Sequence, residues 1–343
     1  MKAAYIVAPR QMELRETAVP QPGPGQVLVR VRAVGICGSD VHYYLHGRIG
    51  ESVITSAHIP GHEFAGEVAA VAPDVAGLQV GQAVAVEPAI ACHRCEMCVQ
   101  GHPNLCYHIR FMSVPPDHGA LCEYVVVEAE RCFPLPGSLS FEEGAMIEPL
   151  GVALHAIRLA SMVVGDRVGI VGCGPIGLLV LQLAAASGAL GILATDKVAA
   201  RLERARRYGA ERTVNVLDED PEMAARAFTL GTGLDVVWEA TGDPTGPEQA
   251  IRLARNGGKV LLIGIPEPDG FTLTASIARR KGLTIKMVRR MKHTYPRAIA
   301  LAAAGKVDLR GLITHRFPLE RAQEAFELVA AQAEGVIKAL ILL

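Results

Sequence analysis

The stretch Val168-Gly-Ile-Val-Gly-Cys-Gly-Pro-Ile-Gly177 is the strongest indication of the fold. It joins an apolar run to a G-x-G-x-x-G pattern whose glycines are Gly172, Gly174 and Gly177. Glycines at this spacing permit a sharp turn, a close approach of the backbone to a pyrophosphate, and close packing of a helix on the preceding strand. The pattern alone is weak evidence, but a predicted strand precedes it and a predicted helix follows it. We therefore predict a dinucleotide-binding turn here.

The residues that follow the turn support this prediction. Pro175 and Ile176 begin the predicted helix, whose amino terminus would face the phosphates of the cofactor. A second predicted strand, residues 191–194, leads to Asp196, which lies about 20 residues beyond the glycines. A carboxylate at this position can accept hydrogen bonds from both ribose hydroxyls and would repel a 2′-phosphate. The sequence thus predicts NAD rather than NADP, and a helix N-cap role for Asp196 is compatible with this.

Strands and helices alternate through the region around this turn. Further apolar strands are predicted at 235–239 and 259–264, each after a helical stretch. Near-continuous apolar strands separated by helices indicate a doubly wound parallel sheet. Residues 1–127 differ, because short alternating runs such as 26–34 and 64–71 are separated by prolines and glycines. We predict a small barrel-like β domain there, and an α/β fold class for the whole chain.

The length and composition of the chain limit the class of protein. At 343 residues it is long enough for two domains, and half of its residues are apolar while a fifth are charged, as in globular proteins. The formal net charge is -1 and charges of both signs are mixed, so we expect no surface for nucleic acid or membrane lipid. The expected partner is a small molecule.

One segment, residues 168–195, has the apolar character of a membrane-spanning helix, because Gln182 is its only strongly polar side chain. Its glycines and Pro175 divide it into a strand, a turn and a helix, each too short to cross about 30 Å of hydrocarbon. The amino-terminal apolar run ends before Arg10 and is too short for a signal peptide. Since four of the eight cysteines also crowd together at metal-ligand spacing, we predict a cytoplasmic protein.

A catalytic metal site is predicted from three separate segments. Cys37 lies in GICGSDVHYY (35–44), His62 and Glu63 lie in PGHEFAGEV (60–68), and Glu148 lies in IEPL. A thiolate, an imidazole and a carboxylate are ligands that hold zinc while leaving one position open for chemistry. Each residue alone is better explained as a buried packing residue. Together, in loops flanked by glycine or proline, they favour a metal, with Ser39, Asp40, His42 and Tyr43 beside Cys37 available for proton transfer.

A second metal site is predicted from Cys92, Cys95, Cys98 and Cys106, which follow the pattern C-x2-C-x2-C-x7-C. Gaps of two residues let successive thiolates converge from one tight loop, and the fourth cysteine closes a tetrahedron without an open position. A pair of disulfides is the alternative, which a cytoplasmic location disfavours. We predict a structural zinc that stiffens this part of the chain.

These motifs, in this order, resemble those of the zinc-dependent medium-chain dehydrogenases, and most closely the polyol branch with sorbitol and xylitol dehydrogenases. The most specific matches are GSDVHYYLHGRIG, PPDHGALCEY, FEEGAMIEPLGVALHA and THRFPLERAQEAFE. The resemblance implies a GroES-like β-barrel catalytic domain at 1–153 with both zinc sites, and a Rossmann NAD-binding domain at 154–290. It also implies that 291–343, which ends in a predicted strand at 336–343, returns to the catalytic domain. A homotetramer or homodimer is implied as well.

The resemblance further implies a role for particular residues. Cys37, His62 and Glu63 would bind the catalytic zinc, with Glu148 reaching it directly or through water; which carboxylate binds directly is open at this point. Arg201 would contact adenosine and Gly264 would lie near the nicotinamide. The residues expected to orient the substrate are Tyr43, Phe111, Glu148 and Arg290; the alternative for Tyr43 is a packing tyrosine, and the alternative for Arg290 is a surface charge. The implied reaction is oxidation of a secondary hydroxyl of a polyol, with proton transfer through Ser39 and either Glu148 or His42.

The sequence also departs from the polyol pattern at one position. Met291 follows the matched arginine, where sorbitol dehydrogenases tend to have tyrosine. The alternatives are therefore another zinc dehydrogenase of the same fold, acting on threonine, butanediol or a simple alcohol, and a non-catalytic protein that keeps the fold. The second alternative predicts a damaged site, whereas all expected ligands are present.

Overall fold

The computed structural model describes residues 1–343, which divide into two units. The first unit comprises Met1–Glu148 and Tyr295–Leu343, and the second comprises Pro149–Thr294. Each unit has a buried apolar cluster of its own, formed in the first unit between strands and helices and in the second on the parallel sheet. None of the helices combines the length and apolar character needed to span a membrane.

The first unit consists mainly of β-strands. Up to residue 145 its strands and helices are β1 (Lys2–Ala8), β2 (Gln11–Glu16), β3 (Gln26–Gly35), α1 (Gly38–His46), β4 (Arg48–Ile49), β5 (Ser52–Val53), β6 (Glu63–Val71), β7 (Ala83–Val86), β8 (Ala89–Ile90), α2 (Glu96–Val99), β9 (Arg110–Phe111), β10 (Tyr124–Glu128), β11 (Cys132–Pro134) and α3 (Phe141–Ala145). In the middle of β3, residues 29–33, apolar residues alternate with Arg30 and Arg32, whereas most of the rest of this strand is buried.

The rest of the chain alternates between helices and strands before it returns to the first unit. Its elements are α4 (Ile147–Ala160), β12 (Arg167–Val171), α5 (Pro175–Ala186), β13 (Gly191–Asp196), α6 (Ala199–Arg207), β14 (Arg212–Asn215), α7 (Pro221–Phe228), β15 (Leu234–Glu239), α8 (Gly246–Leu253), β16 (Ala254–Leu262), α9 (Ala275–Lys281), β17 (Thr284–Met287), α10 (Tyr295–Ala303), β18 (Ile313–Pro318), α11 (Ala322–Ala330) and β19 (Lys338–Leu342).

The main sheet of the first unit brings distant segments together at one end. Its strand order is β11-β7-β6-β3-β19-β18, with β10 also paired to β3. The last residue of β3, Gly35, pairs with Glu63 at the start of β6, and β19 pairs with Gly35 from the other side. A side chain at position 35 would place its Cβ 2.2 Å from a carboxylate oxygen of Glu63, so only glycine fits there. Near these paired ends lie Cys37, two residues after β3, His62, just before β6, and Lys338, the first residue of β19.

The sheet of the second unit is parallel throughout, with strand order β14-β13-β12-β15-β16-β17. The order reverses between β12 and β15, and ligands of such sheets bind at the carboxyl ends of the strands beside this reversal. The predicted α/β class and doubly wound parallel sheet are confirmed. No local pattern in the sequence predicted β14, β17 and β18. Each lies at the edge of its sheet, where a strand needs no continuous apolar run.

Candidate active site

A candidate metal centre forms where β3, β6 and α1 meet. One ligand atom each from Cys37, His62 and Glu63 lie within 4.8 Å of one another. Cys37 is half-buried at the N-cap of α1, whereas His62 and Glu63 are buried at the start of β6. The structure thus brings together three of the four predicted ligands from segments 25 residues apart in the sequence. The mixed thiolate, imidazole and carboxylate set fits zinc.

A buried carboxylate orients His62. An oxygen of Asp40 lies 3.3 Å from Nδ1 of His62, and it accepts hydrogen bonds from Ser113 Oγ (2.5 Å) and from the backbone N–H of Gly61 (3.2 Å). Burial favours the neutral form of Asp40, but the interaction with His62 and these hydrogen bonds outweigh it and lower the pKa of Asp40. A histidine that donates one ring N–H to a carboxylate presents its other nitrogen to a metal. This arrangement is a further indication of a metal at the site.

A buried lysine contacts the candidate ligand Glu63. Nζ of Lys338, from the start of β19, lies 2.6 and 2.8 Å from the two carboxylate oxygens of Glu63 and donates to the carbonyl of Ile36 at 3.1 Å. Burial opposes the charge of Lys338, but the negative charges of Glu63 and Cys37 outweigh it and raise the pKa of the lysine. Lys338 therefore balances part of the negative charge of the ligand set, and the sequence analysis did not identify it.

The carboxylate of Glu148 is not among the ligand atoms that lie within 4.8 Å of one another. Glu148 is buried in the first turn of α4, and the converging atoms come from Cys37, His62 and Glu63 only. Its negative charge nevertheless affects the pKa of neighbouring residues. Burial first and then the charge of Glu148 raise the pKa of Tyr295, whose hydroxyl donates to the carbonyl of Val86. The geometry therefore favours Glu63 over Glu148 as the carboxylate that binds the metal directly.

The other predicted residues of the first unit lie near this centre with different surroundings. The ring of Phe111, in β9, packs 5.2 Å from the ring of His62. The hydroxyl of Tyr43 donates to Ser52 Oγ at 2.9 Å, so its position is fixed. Ser39 and His42 are half-buried on α1, within five residues of Cys37. Phe111 thus contacts a candidate ligand directly, and Ser39 and His42 lie on the helix that Cys37 caps.

The four clustered cysteines also converge. Their sulfur atoms lie within 4.8 Å of one another, and none of the eight cysteines forms a disulfide. Backbone N–H groups point at the sulfurs: Cys92 donates to Cys106 at 3.3 Å, and Cys95 donates to Cys92 at 3.4 Å. Hydrogen bonds, first from the backbone N–H of Cys98 and then from that of Tyr107, outweigh burial and lower the pKa of Cys95 to about 6, which favours the thiolate that binds zinc. The four cysteines therefore form no disulfide in the structure, and their four sulfur atoms fit a closed zinc site.

The glycines of the dinucleotide turn have the environments that their proposed roles require. Gly172 has a φ of 92°, and a Cβ on Gly177 would lie 1.8 Å from the carbonyl oxygen of Gly172, so α5 packs directly on the turn. Gly174, the N-cap of α5, has no heavy atom within 4 Å of a Cβ built on it. The backbone beside it is thus open to a phosphate at the helix amino terminus, next to Pro175 and Ile176.

Asp196 is the last residue of β13. This strand pairs with β12 along the edge opposite to the one that pairs with β15. Asp196 is buried, and its two oxygens accept hydrogen bonds from the backbone N–H groups of Cys173 (2.7 Å) and Val198 (2.8 Å). These bonds hold the carboxylate beside the glycine turn. Lys197, which precedes α6, is exposed, and Arg201, which lies within α6, is half-buried. The residues present therefore fit the adenosine half of a dinucleotide.

Gly264 lies two residues after the end of β16 and packs against two residues that were not predicted from the sequence. These residues, Glu239 and Thr241, end β15 and begin the loop behind it. A buried acid at the end of an apolar strand was the available signal. Arg290 is half-buried with a φ of 52°, and Met291 is fully packed, since its Sδ would lie 2.7 Å from a Cβ on Gly151. Met291 therefore provides no polar group in place of the expected tyrosine.

Comparison with known proteins identifies both halves of the chain. Residues 23–137 match the alcohol dehydrogenase GroES-like domain, and residues 175–304 match the zinc-binding dehydrogenase domain. The predicted GroES-like component is thereby confirmed. Sorbitol dehydrogenase of Bacillus subtilis (strain 168) is 38% identical over 99% of this chain and 97% of its own. Sorbitol dehydrogenase of Gallus gallus is 41% identical over 95% of this chain and 92% of its own.

A solved structure extends the comparison. The crystal structure of 2R,3R-butanediol dehydrogenase from Bacillus subtilis superposes with a TM-score of 0.90 at 32% identity, covering 100% of this chain and 99% of that one. Fold, sequence and ligand set agree with one another. The chain belongs to the zinc-dependent medium-chain dehydrogenases, in the branch that contains the sorbitol dehydrogenases.

Proposed function

We propose that this protein oxidises a secondary hydroxyl of a polyol to a ketone and transfers the hydride to NAD. The observation that carries the proposal is the convergence of Cys37, His62 and Glu63, with Asp40 behind the imidazole and Lys338 behind the carboxylate. These three residues would hold zinc, which would supply a Lewis acid that lowers the pKa of an alcohol. The likeness to two sorbitol dehydrogenases supports a polyol as the substrate.

The residues around the ligands orient the substrate and remove its proton. Ser39 and His42 are half-buried on α1, the helix that Cys37 caps, which suits a hydroxyl and imidazole relay for the alcohol's proton. Phe111 packs on His62 and presents an apolar wall, while the fixed hydroxyl of Tyr43 and the buried carboxylate of Glu148 can hold further substrate hydroxyls. The substrate contact of Arg290 remains a prediction.

A panel of alcohols tests the substrate class. We expect the highest kcat/KM among sorbitol, xylitol and ribitol at one NAD concentration, and lower values for threonine and 2R,3R-butanediol. Met291 favours the second candidate, butanediol or another alcohol with fewer hydroxyls, because its apolar side chain leaves one substrate hydroxyl without a partner. Preference for butanediol or threonine over every polyol would replace the proposed substrate and leave the family assignment intact.

Asp196 underlies the proposed preference for NAD over NADP. The charge-assisted hydrogen bonds of its carboxylate to the ribose hydroxyls favour NAD by about ten- to hundredfold in kcat/KM. Steady-state kinetics with both cofactors measure this ratio, and Asp196→Ala should reduce it because the variant loses the hydrogen bonds and the repulsion of a 2′-phosphate. Comparable efficiencies of the wild-type protein with both cofactors would contradict the preference.

We further propose a homotetramer or homodimer, from the family resemblance, and a cytoplasmic location, from the short amino-terminal apolar run and the clustered cysteines. The domain boundaries at 153/154 and 290/291 are proposals of the same standing. Light scattering coupled to gel filtration gives the molar mass in solution, and a monomer would contradict the proposed assembly. Fractionation of producing cells tests the location.

A further inference from the structure

The carboxyl end of β15 carries a charged residue that the proposed reaction does not use. Glu239 is the last residue of this strand and only 2% exposed. One carboxylate oxygen accepts hydrogen bonds from the backbone N–H (2.6 Å) and the hydroxyl (2.7 Å) of Thr241, and the other accepts from the backbone N–H of Gly264 (3.3 Å). Glu239 therefore joins the loop after β15 to the loop after β16.

Three glycines pack against this pair of residues. A Cβ on Gly172 would lie 2.6 Å from Cγ2 of Thr241, and a Cβ on Gly246 would lie 2.5 Å from its hydroxyl. A Cβ on Gly264 would lie 1.8 Å from the carbonyl oxygen of Thr241 and 2.8 Å from a carboxylate oxygen of Glu239. The loops after β12, β15 and β16 thus close on the same two side chains, which leave no room for any residue larger than glycine.

A buried carboxylate is a costly way to join loops. Burial raises the pKa of Glu239, and the hydrogen bonds from Thr241 and Gly264 only partly offset this. None of the hydrogen bonds that Glu239 accepts comes from a lysine or an arginine. An apolar residue would stabilise the fold without the cost of desolvation. A buried carboxylate without a cationic partner is unfavourable for folding, and such exceptions are expected at functional positions.

The strand order indicates which part of the cofactor these loops serve. β12 lies between β13, which carries Asp196, and β15, which carries Glu239. A dinucleotide whose pyrophosphate lies on the turn after β12 and whose adenosine ribose lies on Asp196 extends toward β15 and β16. Those two strands therefore face its nicotinamide half.

We propose that Glu239 and Thr241 anchor the three glycine loops and that Glu239 is a positioning residue for the nicotinamide half of the cofactor. This inference rests on the proposed cofactor site. The substitution Glu239→Gln tests it, because a side-chain amide has the size of the carboxylate but must direct an NH2 group at a backbone N–H. One of the two loops then loses its attachment, while the turn that holds the pyrophosphate and Asp196 are unchanged.

Calorimetric titration with NADH and with ADP-ribose, which lacks nicotinamide, separates the two halves of the cofactor. For Glu239→Gln we expect about tenfold weaker binding of NADH and less than about twofold weaker binding of ADP-ribose, as for one lost charge-assisted hydrogen bond. Asp196→Asn is the matched control and should weaken both ligands. Thr241→Val, which removes only the hydroxyl, should also weaken NADH selectively and serves as the test if Glu239→Gln does not fold.

The outcomes are distinct. Selective loss of NADH affinity in either variant supports the anchor. Equal losses for both ligands, or no loss, would overturn it, because a merely structural carboxylate would affect the whole site or none of it. If the wild-type protein binds neither ligand, the proposed cofactor site is wrong and the anchor fails with it.

Discussion

The two candidate metal sites are built from different lengths of chain and supported by different groups. The four cysteines between Cys92 and Cys106 converge within one short lobe, and backbone N–H groups point at their sulfurs. The site of Cys37, His62 and Glu63 collects its residues from the ends of separate strands, and charged side chains stand behind them. A closed structural site needs only a tight loop, whereas an open catalytic site needs ligands held in place from outside.

Loss of a ligand from the open site should have the largest effect. We expect Cys37→Ser to lower turnover by about a thousandfold or more, because the Lewis acid contributes several kcal/mol to the transition state. Zinc analysis of the purified protein should find about one zinc per chain in this variant and two in the wild-type protein. Cys122→Ala, which replaces a buried cysteine outside both clusters, is the control and should keep both metals. Full zinc content and turnover in Cys37→Ser would remove the basis of the proposed function.

The charged groups behind the open site should matter most when the metal is absent. We expect Lys338→Met to lower the free energy of unfolding by about 3–5 kcal/mol in metal-free protein, because it leaves Glu63 buried without a cation. The loss should be smaller with zinc bound, since the metal then neutralises the carboxylate. Urea unfolding with and without a chelator measures both values, and Lys338→Arg, which keeps the charge, is the matched variant. Equal losses in both conditions would show that Lys338 does not share Glu63 with a metal.

The candidate ligands of both sites could be named from the sequence, but the roles of the groups that contact them could not. Ligand types stand in recognisable loops, and the spacing of the four cysteines is specific. Lys338 lies 275 residues from Glu63, in a stretch that reads only as the start of an apolar strand. Its position depends on the pairing of β19 with β3, which no local pattern encodes. The choice between Glu63 and Glu148 was open for the same reason, because it is decided by where β6 and α4 begin.

The orientation of His62 should have an effect of intermediate size. We expect Asp40→Asn to weaken zinc binding at the open site by about ten- to hundredfold, since an amide holds the imidazole less firmly than a carboxylate does. Competition with a coloured chelator gives the affinity. Ser113→Ala removes only a hydrogen bond to Asp40 and should cost less, so the two variants together rank the groups behind the ligand. A stronger effect of Ser113→Ala than of Asp40→Asn would contradict this order.

The closed site should have the smallest effect on turnover. Cys106→Ser should reduce the zinc content from two to one and lower the midpoint of heat inactivation, while turnover at low temperature stays within about threefold of the wild-type value, because a site without an open position binds no substrate. We expect any remaining effect on turnover to arise from a shift of β9. This strand pairs with β8 beside the cysteine lobe and carries Phe111, whose ring packs on His62. Phe111→Leu separates this contact from the metal: if Cys106→Ser acts through Phe111, the double variant should be no slower than the slower single variant. Additive losses would mean that the two sites are coupled by another route.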